Sequence, residues 1–190
     1  MNDCSAISRV WRCLAVLVVL VGISGCATPT MSPREYMPPK NEVRGGPQVQ
    51  VSLGNVSLGY VPLNPSEGEF LRQALRLSVL EANLFKSDAK ASLDVELKKL
   101  VIDGDAFGFD MSARAAGTYI VKTIYGKSLF EETFNSSGVS KATEHFNGDE
   151  RRSRAGRRAV KENISMFLTA FGSYLTGNSE KVERLAGSSP

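Results

Sequence analysis

The chain has 190 residues, 42% of them apolar and 23% charged, with a formal net charge of +3, one histidine and three cysteines. That length and balance exclude a disordered polymer and a multidomain assembly, and predict one globular domain. So small a net charge does not by itself argue for a nucleic-acid partner, which leaves local clustering of charge as the informative signal.

The first element is the apolar run "CLAVLVVLVGI", Cys13 to Ile23, eleven residues long. A membrane-spanning helix needs roughly 20. Arg9 and Arg12 stand before the run against a single acid, Asp3, and Ser24, Gly25, Cys26 and Ala27 follow it. This is the three-part layout of a secretory signal peptide. Within it, Ile23-Ser24-Gly25-Cys26 resembles the lipobox of bacterial lipoproteins. The resemblance implies cleavage after Gly25, a diacylglyceryl thioether on Cys26 and an acyl group such as palmitate on the new amino terminus. Two or three acyl chains give lasting membrane attachment where one holds only marginally. Ala27, in place of an aspartate, points by enteric-type sorting to the outer membrane, with the domain in the periplasm. An uncleaved short anchor or a cytosolic core helix is the alternative. Cys4 and Cys13 leave with the signal and Cys26 carries lipid, so no disulfide framework remains and packing alone must hold the domain.

Residues 26–47 read as the lipidated N-terminus and a linker, because Ala27 to Pro47 contains five of the eight prolines and a Gly-Gly pair. Such a tether reaches on the order of 25 Å as a coil and up to about 65 Å as polyproline. The folded domain is expected over 48–176, and the polar tail 177–190 is expected to be poorly ordered.

Within the domain, Val49, Val51 and Leu53 alternate with polar residues and the phase shifts at Gly54-Asn55, which predicts a strand with a bulge. Ser66 and Glu69 form a capping-box pattern ahead of a helix expected from Glu67 to Phe85. Leu93, Val95 and Leu97 alternate with Asp94, Glu96 and Lys98 before a slip at Lys98-Lys99, giving a second strand. A third, from Phe109 to Tyr125, has small residues at its middle odd positions and room there for a packed helix. The Gly126-Lys127 turn leads to a fourth strand, Leu129 to Val139, so strands two to four form an antiparallel meander. Val160, Ile164, Phe167, Leu168, Phe171, Tyr174 and Leu175 recur at helical spacing and place a second helix from about Asp149 to Thr176. The order strand-helix-strand-strand-strand-helix predicts an α+β, two-layer sandwich: a mainly antiparallel sheet of about four strands with two helices on one face.

Motifs that could carry chemistry are few. Gly126-Lys127-Ser128 ends like a phosphate loop but has Val121 where the first glycine belongs, and it joins two strands, so a hairpin turn is the better reading. Asp103, Asp105 and Asp110 in "DGDAFGFD" are expected in one solvated hairpin loop, without the calcium-loop pattern or its closing glutamate. His145 is the only histidine, no nucleophile elbow occurs, and the one mature cysteine is acylated. Neither a metal, a cofactor nor catalytic chemistry is expected.

The stretch "RRSRAGRRAVK" is harder to dismiss. At 100° per residue, Arg151, Arg154, Arg158 and Lys161 fall in one sector beside the apolar stripe, a candidate site for lipid phosphates or an acidic partner. A solvated face balanced by Glu150 and Glu162 is the alternative. Arg157 points towards the apolar side, and Gly156 and Ala159 suggest a close helix-to-sheet approach.

With "SLDVELKKLVID", "GTYIVKTIYGKSLFEETF" and "FNGDERRSRAGRRAVKENISMFLTAF" in this order behind a lipobox and tether, the chain resembles small envelope lipoproteins of two kinds. These are the lipopolysaccharide-assembly lipoprotein and the auxiliary lipoproteins of ABC-type transport. The resemblance implies a non-catalytic module that holds an envelope protein partner, or a transport accessory that contacts lipid or lipopolysaccharide. An unrecognised envelope enzyme is the third reading. Only Cys26 carries a role over from the resemblance.

Overall fold

The computed structural model describes residues 31–39, 47–60, 62, 64–107 and 110–187. The signal segment, Cys26 and most of the proline-rich stretch lie outside the described residues. The described residues from Ser32 onward form one compact unit.

Four strands form a mixed sheet in sequence order: β1 (Ser52–Leu58), β2 (Ser92–Phe107), β3 (Asp110–Thr123) and β4 (Ser128–Ser140). β1 runs parallel to β2 through the helix between them, α1 (Pro65–Glu81), and the rest is an antiparallel meander. The long C-terminal helix is α2 (Gly148–Gly187). The architecture is the expected α+β sandwich with two helices.

Both predicted irregularities occur where the alternation breaks. The β1–β2 register shifts between Leu53 and Val56, and the β2–β3 register shifts between Leu97 and Lys99. The Gly126 turn is a hairpin: glycine there has φ +84°, and its N–H donates to the Thr123 carbonyl at 2.9 Å. Along β3 the odd positions Ala113, Ala115, Gly117, Tyr119 and Val121 are buried, whereas Arg114 is exposed and Thr118 and Lys122 are half-buried. The inward face carries the core. Tyr119 stacks on Phe167 with centroids 4.5 Å apart, and Phe130 and Phe171 extend the aromatic cluster.

Small residues set how closely α2 sits on the sheet. A Cβ at Gly138 of β4 would stand 2.3 Å from the Ala155 carbonyl oxygen and 2.5 Å from the Ala159 nitrogen. One at Gly117 would stand 2.2 Å from Asn163 Oδ1. The close approach is therefore real, but its glycine is Gly138 on the strand rather than Gly156 on the helix, which faces Ile102. Buried Asn163 donates to the Phe134 carbonyl at 2.8 Å and to Ser136 Oγ at 3.0 Å, while Ser136 Oγ donates to the Ala159 carbonyl at 2.7 Å. These bonds use the Asn163 amide and Ser136 hydroxyl protons that the tight seat removes from water, while Asn163 Oδ1 is buried without a partner among the described residues.

Four expectations need correction. The first helix starts at Pro65, not Glu67: Asn64, not Ser66, is its cap, and its side chain accepts from the N–H groups of Ser66 and Glu67. Proline at the first helical position needs no N–H partner. That helix also ends at Glu81, before Phe85. The second helix does not stop at Thr176, and residues 177–187 are not a loose tail. Val182 and Ala186 are buried and Glu183 Oε1 accepts the Gln50 N–H at 2.7 Å. Asp103 and Asp105 lie in β2 opposite Arg114 and Ser112, and Asp110 opens β3, so the acids do not share a loop. The fourth correction concerns the linker and belongs with the basic helix start.

Candidate functional site

The arginine-rich segment occupies the first turns of α2, as its spacing requires, but most of its charge is engaged within the fold. Arg154 Nε donates to Glu150 Oε1 at 3.1 Å. Arg158 donates to the Val139 carbonyl and reaches Glu144 at 2.8 Å. Arg151 donates through Nη1 to the Ala142 carbonyl at 3.2 Å, and its Nε is buried without a partner among the described residues. Lys161, half-buried, has no polar partner among the described residues. Arg152, with its side chain 62% exposed, stands 3.6 Å from Asp149. The predicted sector of Arg151, Arg154, Arg158 and Lys161 is thus brought to one helix face, with two of its four cations already paired to carboxylates.

The strongest constellation lies one residue aside, at Arg157. Only 10% of this side chain is exposed. Its guanidinium meets Glu35 at 2.8 Å, Glu150 at 3.0 Å and Ser153 Oγ at 2.6 Å. Glu35 belongs to the stretch expected to be linker. Pro33–Tyr36 instead forms a 3-10 turn, Tyr36 is 2% exposed, and its hydroxyl donates to Glu67 Oε1 at 2.8 Å. The turn is clasped between the starts of the two helices, one carboxylate to α2 and one phenol to α1. The linker boundary at residue 47 is therefore wrong for Pro33–Tyr36, because burial of Tyr36 and pairing with Arg157 order the turn, and its one proline stands at the first position, where no N–H is needed.

Beside the clasp is a cavity of about 330 Å³ lined by Tyr36, Tyr60, Glu67, Leu71, Leu100 and Ile102. Burial raises the Tyr60 phenol to about 12, with the Glu67 charge adding to it, and burial also pushes Tyr36 up, helped by its bond to Glu67. Both phenols stay protonated at neutral pH, and the Tyr36 proton is already given to Glu67, so the cavity has apolar walls and no phenolate to act as base or nucleophile. Among the described residues no group of three or more histidine, cysteine, aspartate or glutamate side chains is placed to hold a metal ion.

The ion pairs make an acid-stability prediction. The bond from Arg158 holds the Glu144 carboxyl below the usual range, and the bond from Arg154, with Arg157 behind it, does the same for Glu150. As pH falls, the unfolded chain takes up these protons first. The stabilisation is therefore complete above the ordinary carboxylate range near pH 4 and is lost as pH drops through it towards the lower folded values. Melting temperatures measured from pH 7 to pH 2 should be level to about pH 5 and then fall, less steeply in Glu150→Gln; an equal fall in that variant would contradict the assignment.

No helix among the described residues is long and apolar enough to cross a membrane. No family model and no curated protein matches the chain. Among solved structures it is similar to a minor lipoprotein from Acinetobacter baumannii, at 10% identity and TM-score 0.47, covering 63% of this chain and 93% of that one. It is also similar to a Xanthomonas campestris protein of the DUF330 family, at 12% identity and TM-score 0.43, covering 78% of this chain and 98% of that one.

Proposed function

We propose that the chain is a lipid-anchored envelope protein whose domain serves as a non-catalytic binding or scaffold component, anchored in the outer membrane and facing the periplasm. The observation that carries this is the tetrad Ile23-Ser24-Gly25-Cys26 behind a basic segment and an eleven-residue apolar run. The protonated tyrosines of the cavity, and the engagement of the arginines with the protein's own carboxylates, suit a module that holds its shape for a partner. The kinship with lipopolysaccharide-assembly or transport-auxiliary lipoproteins remains part of this proposal, and the partner is an envelope protein.

Labelling cells with a radioactive or clickable fatty acid should mark the native chain and not Cys26→Ser. Label retained in Cys26→Ser would overturn the anchor. Crosslinking in intact cells, followed by identification of what co-purifies, tests the scaffold role, and a chain that captures only lipid would favour the transport-accessory reading.

A further inference from the structure

Phe146 is fully exposed, at 104% of its reference accessibility. Its loop is nonetheless ordered by its own bonds. Asn147 caps α2, its Oδ1 accepting the Asp149 N–H at 2.9 Å and its carbonyl the Arg151 N–H at 3.1 Å, and its own N–H donates to His145 Nδ1. An apolar residue just before a helix cap ordinarily packs on the first turn, four residues into the helix. Arg151 stands there, so Phe146 has no such partner and the fold makes no use of its ring.

Around this ring the local charge is net basic. From Lys141 to Arg158 there are six basic side chains and three acids. Glu144 and Glu150 are turned to their own arginines, and Asp110 of the neighbouring hairpin accepts the Ala142 N–H at 2.8 Å. Lys141 and Arg152 remain exposed, Arg152 standing 3.6 Å from the third acid, Asp149, which is itself exposed. The tether enters at the same end, because Arg157 joins Glu35 to Glu150 in the first turn of α2. From Cys26 to Ser32 the chain spans at most about 20 Å when extended, whereas α2 is about 60 Å long. The far end of α2 therefore lies beyond the reach of that short stretch.

We propose that the end of the domain bearing Phe146, Lys141 and Arg152 docks on the same bilayer that holds Cys26, the ring at headgroup depth and the cations on lipid phosphates. Aromatic side chains favour that depth and basic ones are drawn to anionic headgroups. The domain would thus rest on its own membrane by that end rather than stand off it. This rests on the lipid at Cys26.

The test uses the lipidated chain with Phe146→Trp, its one tryptophan because Trp11 leaves with the signal segment, reconstituted into vesicles of phosphatidylcholine with phosphatidylglycerol. The expected result is a blue-shifted emission quenched by spin-labelled lipid. Adding Lys141→Glu and Arg152→Glu should weaken the docked state at least about tenfold, since each basic residue near the surface contributes roughly fivefold. Unchanged melting temperatures show that these exposed substitutions leave the fold intact. Unquenched emission from a chain that still carries fatty acid would overturn the docking and leave the anchor standing. Absence of fatty acid would remove both. A photo-crosslinker at position 146 that captures a protein in cells, and no lipid, would assign this end to a protein partner instead.

Discussion

Gly138→Val is expected to destabilise the domain by at least about 3 kcal/mol, at the upper end of the range for overpacking a tight core. The reason is the nature of the obstacle. A Cβ at this position meets the backbone of Ala155 and Ala159, not the movable end of a side chain. Relief requires lifting α2 from β4, which also stretches the Ser136 and Asn163 bonds across the seam. Gly138→Ala should already cost about 1–3 kcal/mol. Urea unfolding with an unchanged slope and a lower midpoint would register both. A valine variant within about 0.5 kcal/mol of the parent, the scatter of ordinary surface changes, would show that the helix does not sit where described.

The second large effect is expected at Arg157. Removing one partner of a buried pair typically costs about 3–5 kcal/mol, but Glu35 is 35% exposed and Glu150 23%, so water can resolvate part of the stranded charge. Arg157→Met should therefore cost about 2 kcal/mol, with Arg157→Lys in between, because lysine keeps the charge but cannot address Glu35, Glu150 and Ser153 together. Proteolytic cleavage after Arg34 should become rapid in Arg157→Met while the sheet and helices stay folded. A double-mutant cycle with Glu35→Gln measures the clasp itself, and about 1 kcal/mol of coupling is expected. Zero coupling would mean that the Pro33–Tyr36 turn is not held by Arg157. The consequence reaches the proposed anchor, since releasing the turn would lengthen the free tether towards Pro47.

The sheet, two of its three irregularities and its meander were legible because side chains alternating across a pleat leave a period-two record, and a bulge shows as a break in phase; the shift between Val121 and Lys122 left no such break. The start of α1 was also written in the sequence, as Asn64-Pro65, but Ser66 with Glu69 offers a competing cap of the same chemistry. The end of α2 was obscured by Gly177-Asn178-Ser179, poor helix formers that sit in a helix because Val182 and Ala186 continue the buried stripe of Leu175. The clasp was the least accessible. A turn of four residues has no period, and Glu35 finds Arg157 across 122 positions, a pairing that only the folded chain creates. Arg157 could be read as turned inward, but nothing local identified its counter-ion.

The unequal lengths of β1 and β2 carry a further consequence. β1 stops at Leu58, opposite Leu97, while β2 runs on to Phe107 with β3 as its only strand neighbour among the described residues. From Lys98 onward its outer rim is an unzipped border of peptide groups, the kind of template that recruits foreign strands. Two lysines, two aspartates and a glycine stand along that border, and two of its apolar members, Leu100 and Ile102, wall the cavity beside Tyr36. Through Tyr36 the Pro33–Tyr36 turn stands across that cavity from the open border. A chain that loses its clasp is expected to become sticky before it becomes unfolded.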